Sequence, residues 1–387
     1  MHSKQKTLLA PIALAAAAFL TTVAYADRDD FAYQQTNLVS DGAVQARTTD
    51  GQLKNPWGIA AFPGGPFWIS DNGMGVATLY DGKGDIVPLT VRIPPPAGSP
   101  PGTPATPTGA VWNPSGQAFL LAPAKAALFI FATEDGTISA WNPTVDRTAA
   151  VLKIDNSQGG NGAVYKGLAL ATNSQGVFLY ATNFRSGTVD VFDSTFKPAT
   201  LAGSFSDPRI PTGYAPFGIA LIDGNLFVSY ALQDSAKHDD VAGQGHGFVD
   251  VFDTNGHLIR RFASRGALNS PWGMVRAPLD FGGFSSHVLI GNFGDGHISA
   301  FDSDGDFRGQ LHKPSGNRVT IDGLWGLIFG TGLAADSNTL YFTAGTNHEA
   351  DGLFGRLQAV EPIEQHGNSR LGSRIRIARS PPGRAAS

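Results

Sequence analysis

The sequence predicts an all-β protein, a six-bladed β-propeller with four-stranded antiparallel blades. The first observation is a phrase that recurs six times, in which a glycine follows a residue that is most often aromatic. Its glycines lie 51–58 residues apart: Gly58, Gly109, Gly167, Gly218, Gly273 and Gly326. The second observation is that short segments with strand-like alternation follow each glycine. The third is that no segment sustains helical periodicity. A repeat of this length and pattern is typical of propeller blades.

Each repeat contains its elements in the same order. An inner strand begins near residues 57, 108, 166, 217, 272 and 325. An apolar strand follows, then a glycine-containing turn, then an alternating strand such as GTVDVFD, and in five repeats a weaker fourth strand. The recurrent glycine is expected where inner strands crowd around the axis, because a side chain there would collide with the next blade. The neighbouring aromatic residue is expected to pack between blades.

The sixth repeat has no evident fourth strand, so a segment from outside the repeat must complete it. Residues 33–40, YQQTNLVS, precede the first inner strand and have a strand pattern. We expect this N-terminal strand to pair beside the last blade, because closing the ring removes exposed strand edges. The alternative is SRIRIA, residues 373–378, whose alternation also suits a strand.

The repeat resembles a known class of propeller. The order Pro–aromatic–Gly–Ile–Ala followed by VFD, which occurs at residues 191–193 and 251–253, is similar to the NHL-type repeat. NLVSDG, NPWGIA and the later DGLFG together resemble an uncharacterised family of exported bacterial propeller proteins. The resemblance covers residues 33–362 and implies the fold and export, but no particular activity.

The ends of the chain differ from its body in composition. Residues 1–26 have a basic start, an apolar run and an AYA site, which predicts a signal peptide and an exported, periplasmic or secreted protein; an uncleaved membrane anchor is the alternative. Residues 27–364 form the predicted propeller. Residues 365–387 form a basic tail, which we expect to be disordered; anionic envelope polymers are its alternative partner.

The bulk properties exclude several classes of partner and site. The chain has no cysteine, so it has neither disulfides nor a cysteine-based zinc site. The net charge is −4, and the body before the basic tail is more acidic still, which makes nucleic acid a poor partner. No segment after the signal peptide has the 18 apolar residues of a membrane span, and we expect a monomer.

Polar residues in the turns between second and third strands are expected to converge at the propeller mouth. Their carboxylate and amide oxygens suit Ca²⁺, the one cofactor that the sequence suggests. The metal candidates are Glu134, Asn183, Asn292, Asn347 and Glu349. The alternative is purely structural, since Asn-Gly and Asp-Gly are what hairpin turns require.

Two further sets of residues are expected near the mouth. The ligand-binding candidates are Trp57, Trp272, Trp325, Asp71, Asn72 and Arg185. An insertion at residues 231–247 breaks the repeat and adds histidines that could act as bases near neutral pH. The catalytic candidates are His238, His246, His297 and His348, with solvated loop histidines as the alternative reading.

Two functions follow from this pattern. The first is an exported, non-enzymatic propeller that binds a small molecule, glycan or protein segment at its mouth, or serves as a scaffold. The second is a divalent-metal-dependent hydrolase or lyase at the same mouth, by analogy with calcium-bearing lactonase propellers.

Overall fold

The strands form six antiparallel sheets that follow one another along the chain, and each contains one of the predicted inner strands at its edge. The computed structural model describes residues 31–158 and 162–361. The chain begins with β1 (Ala32–Ser40) and β2 (Thr48–Thr49). Blade 1 contains β3 (Pro56–Ala60), β4 (Phe67–Asp71), β5 (Val76–Tyr80) and β6 (Val91–Arg92). Blade 2 contains β7 (Pro107–Trp112), the small hairpin β8 (Leu120–Ala122) and β9 (Lys125–Ala126), then β10 (Phe129–Thr133), β11 (Thr137–Trp141) and β12 (Val151–Asp155).

The remaining blades repeat the pattern. Blade 3 contains β13 (Tyr165–Asn173), β14 (Gly176–Asn183) and β15 (Thr188–Phe192). Blade 4 contains β16 (Tyr214–Ile222), β17 (Asn225–Leu232), β18 (Phe248–Phe252) and β19 (Leu258–Ser264). Blade 5 contains β20 (Pro271–Arg276), a 3-10 helix (Gly282–Phe284), β21 (Val288–Asn292), β22 (Ile298–Phe301) and β23 (Phe307–Gln310). Blade 6 contains β24 (Leu324–Phe329), β25 (Leu340–Ala344) and β26 (Leu353–Val360). Across the described ranges, no helix is long and apolar enough to cross a lipid bilayer.

The ring is closed by the N-terminal strand, as the sequence predicts. β1 pairs antiparallel with β26 from Ala32 opposite Val360 to Ser40 opposite Leu353. Blade 6 therefore takes its fourth strand from the other end of the chain. The alternative closing segment, SRIRIA, lies outside the described residues.

Blade 3 departs from the predicted four strands. Its sheet has three, and the segment after β15 meets it briefly, through a bridge between Phe192 and Pro198 and a hydrogen bond from the N–H of Ala199 to the carbonyl of Val191 at 2.8 Å. Three residues explain the departure. Pro198 has no N–H to donate to a ladder, and further along the segment Gly203 and Phe205 donate instead to carbonyls of the blade 4 turn, at 2.8 and 3.0 Å.

The recurrent glycines lie where each inner strand touches the next, which confirms their predicted role. A Cβ on Gly58 would collide with the backbone at Thr108, one on Gly218 with the carbonyl of Trp272, and one on Gly326 with the carbonyl of Trp57. The last of these contacts joins blade 6 to blade 1. Glycine therefore allows the six inner strands to approach each other closely all the way around the axis.

At three of these contacts, a hydroxyl group on the second strand of one blade forms hydrogen bonds to both inner strands. Thr343 Oγ1 accepts the N–H of Gly326 at 2.9 Å and donates to the carbonyl of Trp57 at 2.5 Å. Ser229 makes the same pair of bonds with Gly218 and Pro271, and Thr182 makes it with Gly167 and Phe217. Each bridge satisfies one buried peptide group in its own blade and one in the next.

Candidate functional site

An aromatic cluster closes the axis at the end where the inner strands begin. Trp57 stacks on Trp325 with 3.4 Å between ring centroids, and Trp272 meets these rings edge-on at 6.0 and 5.6 Å. Phe217 and Phe184 pack in the same cluster. These rings come from different blades and pack on one another, because equivalent repeat positions bring them to the same height on the axis. The three tryptophans are buried, so they form the floor of the mouth rather than an open contact surface.

Lys166 occupies the position in the third repeat that Trp57 occupies in the first. Its side chain is only 2% exposed, and its ammonium lies 5.1 Å from the Trp57 ring centroid. The ammonium binds the carboxylate of Glu134 and lies 3.4 Å from an oxygen of Asp239. A buried ammonium is therefore held between two carboxylates and an aromatic face, each of which favours its charged form.

Two asparagines connect the floor to the acidic groups above it. Asn55 accepts the indole N–H of Trp57 at 3.1 Å and donates to Glu349 at 3.1 Å and to Asn72 at 3.3 Å. Asn72 in turn donates to the second oxygen of Glu134 at 2.8 Å. Asn55, the residue before Pro56, has a φ of 45°. Asparagine tolerates this left-handed conformation better than most residues. The mouth is thus one continuous hydrogen-bonded network.

The insertion that breaks the fourth repeat covers one side of this network. It connects β17 to β18 and places His238 Nδ1 2.8 Å from an oxygen of Asp239. Its position is fixed further along, where the N–H of Gly243 donates to Asn269 Oδ1 at 2.7 Å. The Asp239 side chain remains 68% exposed, so a group entering from solvent can reach it.

The charges in the mouth shift one another's protonation. Burial works to lower the pKa of Lys166, but the charge and hydrogen bond of Glu134 outweigh it, and the pKa of Lys166 is raised. The hydrogen bond between His238 and Asp239 raises the pKa of His238. The same bond, together with the charge of Lys166, lowers the pKa of Asp239 to about 2. Burial raises the pKa of Glu349 and of Asp240. Lys166 and Asp239 are therefore both charged at neutral pH.

The structure brings only some of the predicted site residues together. Asn72, Glu134, His238 and Glu349 belong to the network, and the three predicted tryptophans lie beneath it. Glu134, His238 and Asp239 also offer three ligand atoms within 4.8 Å of one another, a spacing that a metal ion could bridge.

Three other candidates direct their side chains into their own blades. Asn183 Oδ1 accepts from the backbone N–H of Val164 and of Ser186, both at 3.3 Å. Asn292 Oδ1 accepts from the N–H of Asn269 at 3.0 Å. Asp71 is fully buried and accepts from Thr78 Oγ1 at 2.8 Å; burial raises its pKa well above the usual range. These side chains stabilise the turns, which is the structural alternative that the sequence left open.

The remaining candidates make other contacts around the rim. His246 lies 2.8 Å from the carbonyl of Val241, and His297 lies 3.4 Å from Asp295. Arg185 donates to the carbonyl of Gly162 at 3.0 Å. Asn347 and His348 are exposed in the turn that carries Glu349.

Lys166 and Asn55 are members of the network that the sequence did not single out. Lys166 has a clear signal, because it is the charged residue among six equivalent positions that otherwise hold three Trp, one Phe and one Thr. Asn55 has a weaker one: it begins the phrase NPWGIA, and Ser270 begins the related SPWGMV.

Two viral proteins are similar to this chain over most of its length. Uncharacterized protein R648 of Acanthamoeba polyphaga mimivirus is 36% identical over 328 residues, which is 83% of this chain and 78% of R648. Uncharacterized protein L690 of the same virus is 33% identical over 328 residues, covering 83% of this chain and 84% of L690. This chain belongs to the same family as R648 and L690. No family model matches it.

Several solved structures resemble this relative of R648 and L690 in their fold. A Bacteroides thetaiotaomicron protein of unknown function has a TM-score of 0.52 at 12% identity, covering 86% of this chain and 77% of that one. Virginiamycin B lyase from Staphylococcus aureus has a TM-score of 0.47 at 15% identity, covering 85% and 99%. A gluconolactonase from Xanthomonas campestris has a TM-score of 0.45 at 14% identity, covering 80% and 87%. At these identities the likeness concerns the propeller fold alone.

Proposed function

We propose that this protein is a ligand-binding propeller whose mouth recognises a small molecule rich in hydrogen-bond donors, above all one with a protonated amine. The observation that supports this is the group of carboxylates around Lys166, above a floor that the tryptophans close. A ligand held there meets fixed acceptors with water excluded from below, which is where polar contacts are strongest.

The balance of charge favours a cationic ligand over an anionic one. Four carboxylates lie at the mouth, those of Glu134, Asp239, Asp240 and Glu349, and they face two basic groups, the Lys166 ammonium and the His238 imidazole. Asp239, with its exposed side chain and a pKa of about 2, keeps its negative charge throughout the neutral range. An ammonium or hydroxyl group would replace water on these oxygens, whereas a carboxylate would be repelled.

Three sugars that differ at the charged group test this proposal: glucosamine, glucose and glucuronate, each measured by saturation-transfer NMR at pH 6.5. We expect glucosamine to give the strongest transfer and glucuronate the weakest. Glu349→Gln, which keeps a hydrogen-bonding side chain beside Asn55, should reduce glucosamine transfer several-fold. Asp304→Asn, on an exposed turn, is the matched control and should change nothing. Equal transfer for all three sugars, or no transfer from glucosamine, would contradict the proposal.

A divalent cation at the mouth is the second candidate, and it would be required for the hydrolase or lyase alternative. The spacing of Glu134, His238 and Asp239 favours it. The Lys166 ammonium opposes it, since two unit charges about 4 Å apart at an effective dielectric of 20 repel by roughly 4 kcal/mol, and a divalent ion doubles this value. Thermal melts with EDTA and with added Ca²⁺ separate the two candidates, because a native-state ligand must stabilise the fold. A shift that His238→Ala abolishes and His348→Ala retains would support the metal site; identical melts would remove it.

Export and membership of the NHL-type repeat class remain part of the proposal. The predicted signal peptide, residues 1–26, and the basic tail, residues 365–387, lie outside the described residues. Cell fractionation with N-terminal sequencing tests export directly: a mature chain that begins at Asp27 is expected outside the cytoplasm. Size-exclusion chromatography with light scattering tests the expected monomer.

A further inference from the structure

The propeller contains a second chamber on the other side of the aromatic cluster. The inner strands enclose a cavity of about 310 Å³ along the axis. Trp272 and five of the six recurrent glycines, all but Gly218, line it. Ala61, Leu221 and Ile328 line it where the inner strands end. The chamber therefore extends away from the mouth and opens at the opposite face. The tryptophan cluster separates the two chambers.

The walls of this second chamber, called the channel below, differ chemically from those of the mouth. Among the described residues that line it, every side chain is glycine, aliphatic, methionine or tryptophan, and none is ionisable. Each inner strand is also the edge strand of its sheet, so alternate peptide groups face the axis without a neighbouring strand. The wall thus combines apolar surface with neutral hydrogen-bond donors and acceptors.

This composition selects against charge. An ion in the channel would lose most of its hydration and find no counter-ion on the wall. A neutral molecule with an apolar body would bury that body against the aliphatic side chains, and a hydroxyl or amide group on it could bond the free peptide groups. A volume of about 310 Å³ is at the small end of the range that ligand sites occupy.

We propose that the channel is a second binding site, specific for a compact, uncharged molecule with an apolar body and one neutral hydrogen-bonding group. It is independent of the mouth, which the proposed function assigns to a cationic or hydroxyl-rich ligand. Trp112 and Trp272 line the channel, so their fluorescence reports on its contents.

Three molecules that share one apolar body provide the test: 1-adamantanol, 1-adamantanamine and 1-adamantanecarboxylate. Each is titrated into the full chain, and tryptophan fluorescence and the thermal melt are recorded. We expect 1-adamantanol to change the fluorescence saturably and to raise the melting temperature. The amine and the carboxylate should affect the channel signal at concentrations at least tenfold higher.

A pair of leucines locates the binding. Leu221 lines the channel at its opening and is 46% exposed, so Leu221→Glu should fold normally and weaken 1-adamantanol binding at least tenfold. Leu333 is fully exposed in a turn that also follows an inner strand but does not line the channel, so Leu333→Glu is the matched control and should retain binding. The proposal is overturned if 1-adamantanol has no effect, if the three compounds bind equally, or if Leu221→Glu binds like Leu333→Glu. Failure of the sugar experiment would leave this result unaffected.

Discussion

Lys166 shows how one residue changes the chemistry of a repeated position. In most repeats this position contributes an aromatic ring to the floor. In the third repeat it contributes a 2%-exposed ammonium whose charge is compensated by Glu134 and Asp239. Removing one partner of such a buried pair is more damaging than never having had it, because the other charge stays buried alone.

Lys166→Met tests this dependence. Methionine fits the aromatic surroundings but leaves the Glu134 carboxylate, 11% exposed, without its cation. We expect a loss of about 3 kcal/mol in the free energy of unfolding at pH 7. The loss should shrink as the pH falls towards 4, because protonation removes the unpaired charge. Urea unfolding at both pH values measures it, with Lys83→Met on an exposed turn as control. A loss that does not depend on pH would show that packing, not charge, is responsible.

A second buried pair lies away from the mouth, in blade 4. Arg261 binds the carboxylates of Asp250 and Asp207, the latter at 2.7 Å. Burial works to raise the pKa of Asp207, but its bonds from Arg209 and Arg261 lower it to about 2. Burial also raises the pKa of Asp250, and there it prevails over the arginine, to about 6. The two acids therefore titrate at opposite ends of the acidic range.

The sign of the pH effect follows from Asp250. Its folded pKa lies above its unfolded value, so the folded state binds more protons between about pH 4 and 6, and stability falls as the pH rises through this window. Asp207, with its pKa of about 2, completes its titration below this pH window. Asp250→Asn removes the titration, so its stability relative to wild type should improve from pH 4 to pH 6.5. Asp304→Asn should show a constant difference. A flat difference for Asp250→Asn would contradict the raised pKa.

Residue roles at the mouth could be predicted from the sequence only in part. Repeat register shows which positions face the axis, and it identifies Lys166 as an exception. It does not distinguish Glu134, which reaches the network, from Asn183, which bonds its own turn, because both occupy the same turn position in successive blades. Side-chain direction depends on contacts between blades, which a period does not contain.

At the scale of the strand, each blade meets the next at its inner-strand glycine, and at three junctions a shared hydroxyl also bridges the two blades. Thr343 is the hydroxyl that joins blade 6 to blade 1, the two blades that ring closure brings together. Both of its bonds are buried, so their loss would leave a peptide N–H and a carbonyl without partners.

Thr343→Val tests this junction while preserving the shape of the side chain. We expect it to destabilise the fold by about 1–3 kcal/mol, because two buried peptide groups lose their partner. Thr343→Ser retains the hydroxyl and should cost clearly less. Guanidinium unfolding of the two variants measures the difference. Equal losses would show that the methyl group, and not the hydroxyl bridge, is what the junction needs.

The order of the strands could be predicted because each repeat shows its strand pattern in the sequence. The missing fourth strand of blade 3 could not be predicted. The first three strands of blade 3 and the turn before β15 match the repeat. The next segment contains Pro198 and Gly203, and from Gly203 onward it bonds to the adjacent blade instead. Competition between neighbouring blades for one segment is a tertiary effect. No local pattern in that segment reveals which sheet it will join.

At the scale of the whole molecule, the fold depends on joining its two ends. β1 supplies the fourth strand of blade 6 through eight paired positions, and Tyr33 inserts its ring between Phe281 and Phe284 of blade 5. Without β1, β26 would become an exposed edge, and the contact between blades 5 and 6 would lose a buried aromatic side chain.

Two truncations test closure. Removal of residues 27–40 deletes β1, and we expect a strongly lowered melting temperature and concentration-dependent association, because the free edge of β26 can pair with another molecule. Removal of residues 365–387 deletes the basic tail that the sequence predicts to be disordered, and the melting temperature should match that of the full chain. Differential scanning calorimetry and light scattering measure both. If the chain without residues 27–40 melts like the full chain while the one without residues 365–387 does not, the tail and not β1 closes the ring in solution, and SRIRIA would be the segment to examine.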